Sequence, residues 1–264
     1  MNTVHSHSAG EQPVTVARVA ELEWHAVADD RVVGRGDAAR RPDGRLFISI
    51  DAWHDAVFDR LAEAMARDLS APLYTVVDEA DPGTAAAWER AGFTAGRREW
   101  GYLVPTDPQL TGLGSVQPPA GVTIVPAGEA QEEPLRALDR LIRAEVEAAA
   151  GWQSMPAEVL PRPEGVTVAD VSKYAVAQQA GAYVGLVRVA PLTRQPRIGL
   201  IAVRADRQRL GIARALLAQA LGALRRSGTA SAWAEVDESN TAAIALFEGI
   251  AARRAGSTRE LVRR

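Results

Sequence analysis

The apolar run Ile198-Gly-Leu-Ile-Ala-Val203 gives way to a charged turn ending in a single glycine, Gly211. An apolar stripe at helical spacing follows: Ile212, Leu216, Leu217, Ala220, Leu221 and Leu224. This order predicts strand, turn and helix in immediate succession. A helix that opens on glycine leaves successive backbone N–H groups unpaired and presents the positive end of its dipole. Glycine also lets a ligand approach where a Cβ would intrude. The stretch therefore predicts an anion cradle, with phosphate or pyrophosphate as the natural occupant.

The chain has 264 residues, 47% of them hydrophobic, enough for one large core or two ordinary ones. A net charge of −3 gives no general electrostatic reason to expect nucleic acid or an anionic membrane. The absence of cysteine excludes disulfides, thiolate metal sites and thiol catalysis. The opening MNTVHSHSAGEQ has neither the basic nor the apolar region of a secretory signal, and no run is long enough to span a bilayer, so a cytoplasmic protein is expected. His5 and His7 lie in this expected disordered tail (1–12), and no metal site is assigned to them.

From Val14 to Asp51, alternating segments broken by Asp29-Asp30, Gly34, Gly36 and Pro42-Asp-Gly44 predict three or four antiparallel strands. A helix follows from Trp53 to Leu69, a strand at Leu73–Val77, a helix from about Pro82 to Ala91 stopped by Gly92, and a strand at Arg97–Val104. Residues 105–121, rich in Pro, Gly, Thr and Gln, are the expected linker. Beyond it the pattern predicts a strand at Val122–Val125 and a helix from Glu132 to about residue 150 with an apolar side of Leu135, Leu138, Leu141, Ile142 and Val146. A proline-interrupted connection with a short helix at Pro156–Leu160 comes next, then strands at Tyr174–Gln179, Tyr183–Val189 and Ile198–Val203. After the glycine turn and its helix come a strand at Ala230–Val236, a helix at Thr241–Ile250 and a closing strand at Thr258–Val262.

The two halves repeat one another. Leu73-Tyr-Thr-Val-Val-Asp-Glu-Ala-Asp81 followed by Ala85-Ala-Ala-Trp88 aligns with Ser231-Ala-Trp-Ala-Glu-Val-Asp-Glu-Ser-Asn240 followed by Ala242-Ala-Ile-Ala-Leu-Phe247. The shared Val-Asp-Glu in the same strand, turn and helix order marks two copies of one α/β unit.

Gln208-Arg-Leu-Gly211-Ile-Ala213, the preceding Leu200–Val203 and the later Asn240-x-x-Ala243-x-x-Leu246 resemble the GCN5-related N-acetyltransferase (GNAT) superfamily in a tandem arrangement. The resemblance covers 182–254 well, 122–181 fairly and the first half weakly. It implies an α/β protein of two GNAT-like domains, each a mixed, largely antiparallel sheet flanked by helices: a degenerate one at 13–104 and an acetyl-CoA-binding one at 122–264. It implies that Gln208, Arg209, Leu210, Gly211, Ile212, Ala213 and Arg214 hold the pyrophosphate of acetyl-CoA. Arg207, Arg209 and Arg214 could also reach its 3′-phosphate. Ile201, Ala202 and Val203 would contact the pantetheine or acyl group, and Asn240 the same arm. In the first half Asp51-Ala-Trp-His-Asp-Ala-Val-Phe58 stands where the turn would be, without a glycine. One acyl-CoA site per chain is expected, with Trp53 and Phe58 as core or interface residues and Trp88 and Trp100 as packing.

The implied activity is transfer of acetyl from acetyl-CoA to an amine of a small molecule or protein by direct attack, making the chain an acyltransferase. The alternative is a non-catalytic acyl-CoA-binding sensor or scaffold. A backbone N–H at Val203 or its neighbour is the expected oxyanion donor. The family's usual tyrosine is replaced by Phe247, leaving Ser239, water or the acceptor ammonium as proton source. The second half has no histidine, so a carboxylate or water must act as base, with Glu235 the first candidate and Glu145, Glu147 and Glu158 the others. Trp152 and Tyr183 are candidates to line the acceptor pocket. Because a tandem copy can supply internally what single-domain relatives form between chains, a monomer is expected, with a homodimer as the other arrangement.

Overall fold

The structure, a computed structural model, describes residues 14–41, 43–149, 151, 170–191 and 195–264. The first half begins as a four-stranded antiparallel meander, β1 (Thr15–Ala20), β2 (Glu23–Ala28), β3 (Arg31–Arg40) and β4 (Leu46–Ala52). It continues through α1 (Asp55–Asp68), β5 (Leu73–Asp78), α2 (Pro82–Arg90) and β6 (Thr94–Pro105). α2 starts where sequence chemistry dictates: Pro82 occupies its first turn and the Asp81 carboxylate accepts the Thr84 N–H.

The connection holds the short α3 (Pro108–Thr111). The second half comprises β7 (Val122–Val125), α4 (Glu132–Ala149), β8 (Tyr174–Gln179), β9 (Ala182–Ala190), β10 (Arg197–Val203), α5 (Ile212–Arg226), β11 (Ser231–Asp237), α6 (Thr241–Glu248) and β12 (Arg253–Arg263). The expected helix at Pro156–Leu160 lies outside the described residues.

Twelve described strands form one continuous sheet in the order β1-β2-β3-β4-β5-β12-β6-β11-β10-β9-β8-β7. The halves exchange their last strands. β12 enters the first half, pairing antiparallel with β5 from Thr258–Asp78 to Arg263–Leu73. β6 leaves it to pair antiparallel with β11 from Ser231–Pro105 to Asp237–Glu99. β6 and β12 also pair with each other at the centre.

Among the described residues, three apolar clusters follow from this layout. Leu61, Met65, Trp88 and Phe93 fill the first half, and Leu261 of β12 is buried with them. Leu216, Leu217, Ala232, Ala234, Val236 and Phe247 fill the space between the second half of the sheet and α5 and α6, and Tyr102 and Val104 of β6 join them. On the opposite face, α4 packs Leu135, Leu138 and Ile142 against Tyr174, Val176, Leu186 and Leu200. The apolar side expected for α4 needs one correction: Leu141 is 48% exposed, while Asp139 and Arg143 are buried and paired at 2.6 Å.

Candidate active site

The sheet opens where β10 and β11 part. The two strands run parallel but pair only at Arg197–Trp233 and Ile198–Ala234. Beyond that, β10 keeps its pairing with β9 as far as Val203–Gly185, and β11 keeps its pairing with β6 as far as Asp237–Glu99. A wedge is left between Leu200–Val203 and Glu235–Asp237. Arg204 donates its N–H to Val184 O at 3.0 Å. Backbone groups alternate sides along a strand, so the N–H of Val203, one residue earlier, is directed into the wedge.

At the wide end of the wedge the chain makes the glycine turn. Gln208 donates Nε2 to Val203 O at 3.1 Å, folding the turn back on the strand. Glu145 of α4 accepts the Ala205 N–H at 2.8 Å. Arg209 and Gly211 both have left-handed backbones, with φ of 63° and 87°. Gly211 tolerates this conformation; for Arg209 it costs about 1–3 kcal/mol. Gly211 is the N-cap of α5 and offers no side chain to cap it, so the N–H groups of Ile212, Ala213 and Arg214 face the turn. The intrahelical ladder begins with Ala215 N–H on Gly211 O at 3.1 Å. These orphan donors, the left-handed residues before them and the dipole of a 15-residue helix form an anion-binding concavity. Arg214 lies half-buried beside it with Nη1 on Gly249 O at 3.3 Å, and Leu210 is exposed.

The first half opens in the same way, since β4 and β5 pair in parallel only at Leu46–Leu73 and Phe47–Tyr74. It lacks the donor turn. His54 is the N-cap of α1 with an extended backbone, φ −125°, and provides no cap bond. Trp53, expected in a core or an interface, is 92% exposed, because it sits on the tip preceding α1 with nothing packed over it; Phe58 is buried edge-on to Trp88. Trp88 is core as expected, and Trp100 lies between the guanidinium groups of Arg98 and Arg254.

The wedge's α4-side face is charged. Ala232, Ala234 and Val236 of β11 point to α5 and α6, so Trp233, Glu235 and Asp237 point the other way. Glu235 accepts hydrogen bonds from Arg197 of β10 and, at 3.2 Å, from Trp233 Nε1. Asp237 accepts from the Ser239 hydroxyl at 2.5 Å and the Ser239 N–H at 2.9 Å, and pairs with Arg97 Nε of β6 at 3.1 Å. Arg97 also pairs with Glu99. Burial and the neighbouring Glu235 and Asp237 carboxylates raise the Glu99 pKa above the ordinary carboxylate value, against the opposing pull of Arg97 and Arg197. Glu99 and Arg97 were not among the residues expected here, because their strand belongs to the first half by sequence.

The remaining candidates take the following places. Asn240 is the N-cap of α6, its side-chain oxygen accepting the Ala243 N–H at 3.0 Å. Tyr183 is buried and its hydroxyl accepts the Gln131 N–H at 3.0 Å, tying the loop before α4 rather than facing a pocket. Glu147 is exposed near the end of α4. Trp152 and Glu158 lie outside the described residues. Phe247 is buried and stacked on Tyr102 of β6, ring centres 5.8 Å apart. The Tyr102 hydroxyl hydrogen-bonds to Glu248 at 3.1 Å and to Arg254 Nε at 3.0 Å. A cavity of about 500 Å³ bounded by Arg18, Arg40, Leu69 and Tyr74 lies in the first half, away from the wedge. Among the described residues no group of His, Cys, Asp and Glu has the arrangement of a metal site, and no helix is long and apolar enough to cross a membrane.

Residues 141–250, spanning α5, the wedge and α6, match the model of the Acetyltransferase (GNAT) family. The stretch that matches is less than half of the chain. The solved structure of a GCN5-related N-acetyltransferase from Sphaerobacter thermophilus superposes with a TM-score of 0.65 at 18% identity, covering 94% of this chain and 82% of that one. A tandem GNAT protein from the clavulanic acid biosynthesis pathway gives 0.63 at 18% identity over 91% and 82%. A GCN5-related N-acetyltransferase from Kribbella flavida gives 0.60 at 15% over 95% and 89%. These likenesses extend across both halves and establish the fold. In sequence, a [ribosomal protein bS18]-alanine N-acetyltransferase of Escherichia coli is 50% identical over 50 residues, 19% of this chain and 34% of that protein, and the protein of Shigella flexneri matches to the same extent. The match thus spans about a third of these curated relatives.

Proposed function

We propose that the chain transfers an acetyl group from acetyl-CoA to an amine through a ternary complex at the β10–β11 wedge. The observation that carries this reading is the wedge itself, with an inward N–H at Val203 and an uncapped, glycine-opened helix at its wide end. The N–H groups of Ile212, Ala213 and Arg214 would hold the pyrophosphate, with Gln208, Arg209 and Leu210 shaping the turn around it. The edge of β10 at Ile201, Ala202 and Val203 would face the pantetheine and acyl group, and the Asn240 amide, its oxygen already engaged in capping, keeps its NH2 for the same arm. Val203 N–H would stabilise the oxyanion formed when the amine attacks the thioester carbon. The C–S bond then breaks, and the thiolate takes a proton originating from the attacking nitrogen.

A non-catalytic acyl-CoA binder is the second reading. It is favoured by one set of contacts: Glu235 is held by Arg197 and Trp233, the Ser239 hydroxyl is held by Asp237, and Phe247 has no proton to give.

The two are separated by titrating the full chain with acetyl-CoA in a calorimeter. Thiol release is then followed with spermidine, an aminoglycoside, and peptides beginning with alanine or carrying a lysine. Saturable binding with turnover of at least one amine is expected; binding without turnover across the panel selects the sensor, and no binding removes both. Gly211→Val combines a β-branched residue with φ of 87° and fills the approach to the helix N–H groups, so acetyl-CoA affinity should fall at least tenfold. Retained affinity would displace the ligand from this turn.

A further inference from the structure

We infer that Glu99, carried into the site on the exchanged strand β6, is the catalytic base that deprotonates the acceptor amine. The inference rests on the acetyl-transfer reading above.

Three placements support it. First, Glu99 lies directly opposite Asp237, the last paired residue of β11, on the same face of the sheet as Glu235 and Asp237. A nucleophile that reached the thioester from the α4 side would pass this end of β11. Second, the pseudo-symmetric position in the first half is different. There β12 pairs Thr258 with Asp78 and Glu260 with Val76, where β6 pairs Glu99 with Asp237 and Gly101 with Glu235. Asp78 repeats Asp237, but Thr258 stands for Glu99 and Val76 for Glu235. The carboxylate at this position occurs beside the wedge that carries the glycine turn and not beside the one that lacks it. Third, the surroundings favour proton uptake. Facing Glu99 are Arg97 on its own strand, Glu235 and Asp237 on β11, Arg197 on β10, and Arg41 at the end of β3. Burial and the two carboxylates outweigh the cations, so Glu99 binds a proton more readily than an exposed glutamate. Each carboxylate of the group has cationic or hydrogen-bonding partners: Glu99 has Arg97, Glu235 has Arg197 and Trp233, and Asp237 has Ser239 and Arg97.

The step balances. The ammonium transfers one proton to the Glu99 carboxylate, leaving a neutral amine and a carboxylic acid. The amine nitrogen bonds to the thioester carbon, the C–S bond breaks, the nitrogen releases its second proton to the thiolate, and Glu99 returns its proton to water. Because Glu99 must be ionised to act, kcat/KM rises with pH through its pKa, and the acid limb lies above the ordinary carboxylate range.

The test compares the full chain with Glu99→Gln and Glu99→Asp. It uses the amine of the panel that the unaltered chain acetylates fastest, with acetyl-CoA affinity measured separately. Expected are acetyl-CoA affinity within threefold of the unaltered chain, kcat/KM down 10²-fold or more in Glu99→Gln with the acid limb abolished, and partial recovery in Glu99→Asp with a displaced limb. An acid limb that persists in Glu99→Gln overturns the assignment, as does a rate loss matched by lost acetyl-CoA affinity. If the unaltered chain binds acetyl-CoA but acetylates no amine, the base assignment falls while the cofactor cradle stands; if it does not bind acetyl-CoA, both fall.

Discussion

Leu261 tests whether the strand exchange makes the two halves one folding unit. It belongs by sequence to the second half, yet it is 1% exposed and sits in the first-half cluster with Leu61, Trp88 and Phe93. Leu261→Ala removes buried methyl groups from a site walled by β5, β6 and the first-half helices, and a leucine-to-alanine change of this kind costs about 2–5 kcal/mol. For a chain of this size, 1 kcal/mol moves the melting temperature by roughly 2–4 °C, so a fall on the order of 4–20 °C is expected. The informative comparison is with Leu217→Ala, in the cluster under α5. Because β6 and β12 are each bonded into both halves, the two substitutions should lower the same transition, seen together by far-ultraviolet circular dichroism and tryptophan fluorescence. Trp24 and Trp88 report the first half, and Trp100 and Trp233 the central strands. Two separable transitions, with Leu261→Ala moving only one, would refute the coupling.

Two further outcomes follow from single contacts. Asp139→Ala leaves the Arg143 guanidinium buried without its 2.6 Å partner and should destabilise by about 3–5 kcal/mol in urea unfolding, whereas Asp139→Leu combined with Arg143→Met should be near neutral or stabilising; equal losses in both variants would show that the pair itself is not the cause. The Asp68 pKa is held below its ordinary value chiefly by the Trp24 indole N–H at 2.9 Å, so this contact contributes stability that is present above the unfolded carboxylate pKa and lost as pH falls through the folded one; Trp24→Phe should flatten that part of the acid limb of stability, and an unchanged limb would exclude the contact as its source.

The parts of the fold legible in the sequence are those fixed by local rules. The strand, turn and helix around Gly211 declare themselves because the apolar pattern changes period across a glycine, and the structure gives that glycine the positive φ only it adopts freely. Helix α4 shows where such reading stops. Its buried positions Leu135, Leu138, Asp139, Ile142 and Arg143 keep strict helical spacing, but two are charged, so the apolar pattern alone points to Leu141 instead. Asn240 matched a family motif, and the structure adds a local reason for asparagine there, the capping of α6. The charged side of the wedge was only partly legible. Glu235 is legible because its strand is local to the turn, whereas Arg97 and Glu99 lie more than a hundred residues earlier, and only the sheet order brings them beside β11.

That sheet order also accounts for a first half that has the wedge but not the donors. Replacing a glycine turn by Trp53-His54 removes an anion site and few packing contacts, since Trp53 stands in solvent. Removing β6 would be different in kind. It would strip β11 of its antiparallel partner along its whole length, take Tyr102 and Val104 out of the core beneath α5 and α6, and delete Arg97 and Glu99 from the wall of the remaining wedge. The converse holds for β12, which closes the first-half core with Leu261 and bonds Glu260 to Arg45 at 3.0 Å. On this arrangement the first half is needed by the second for a strand and its side chains, whatever becomes of its own turn. A second half expressed from residue 122 would present β11 as a bare edge and β12 as an unpaired arm, a combination expected to aggregate rather than to bind acetyl-CoA.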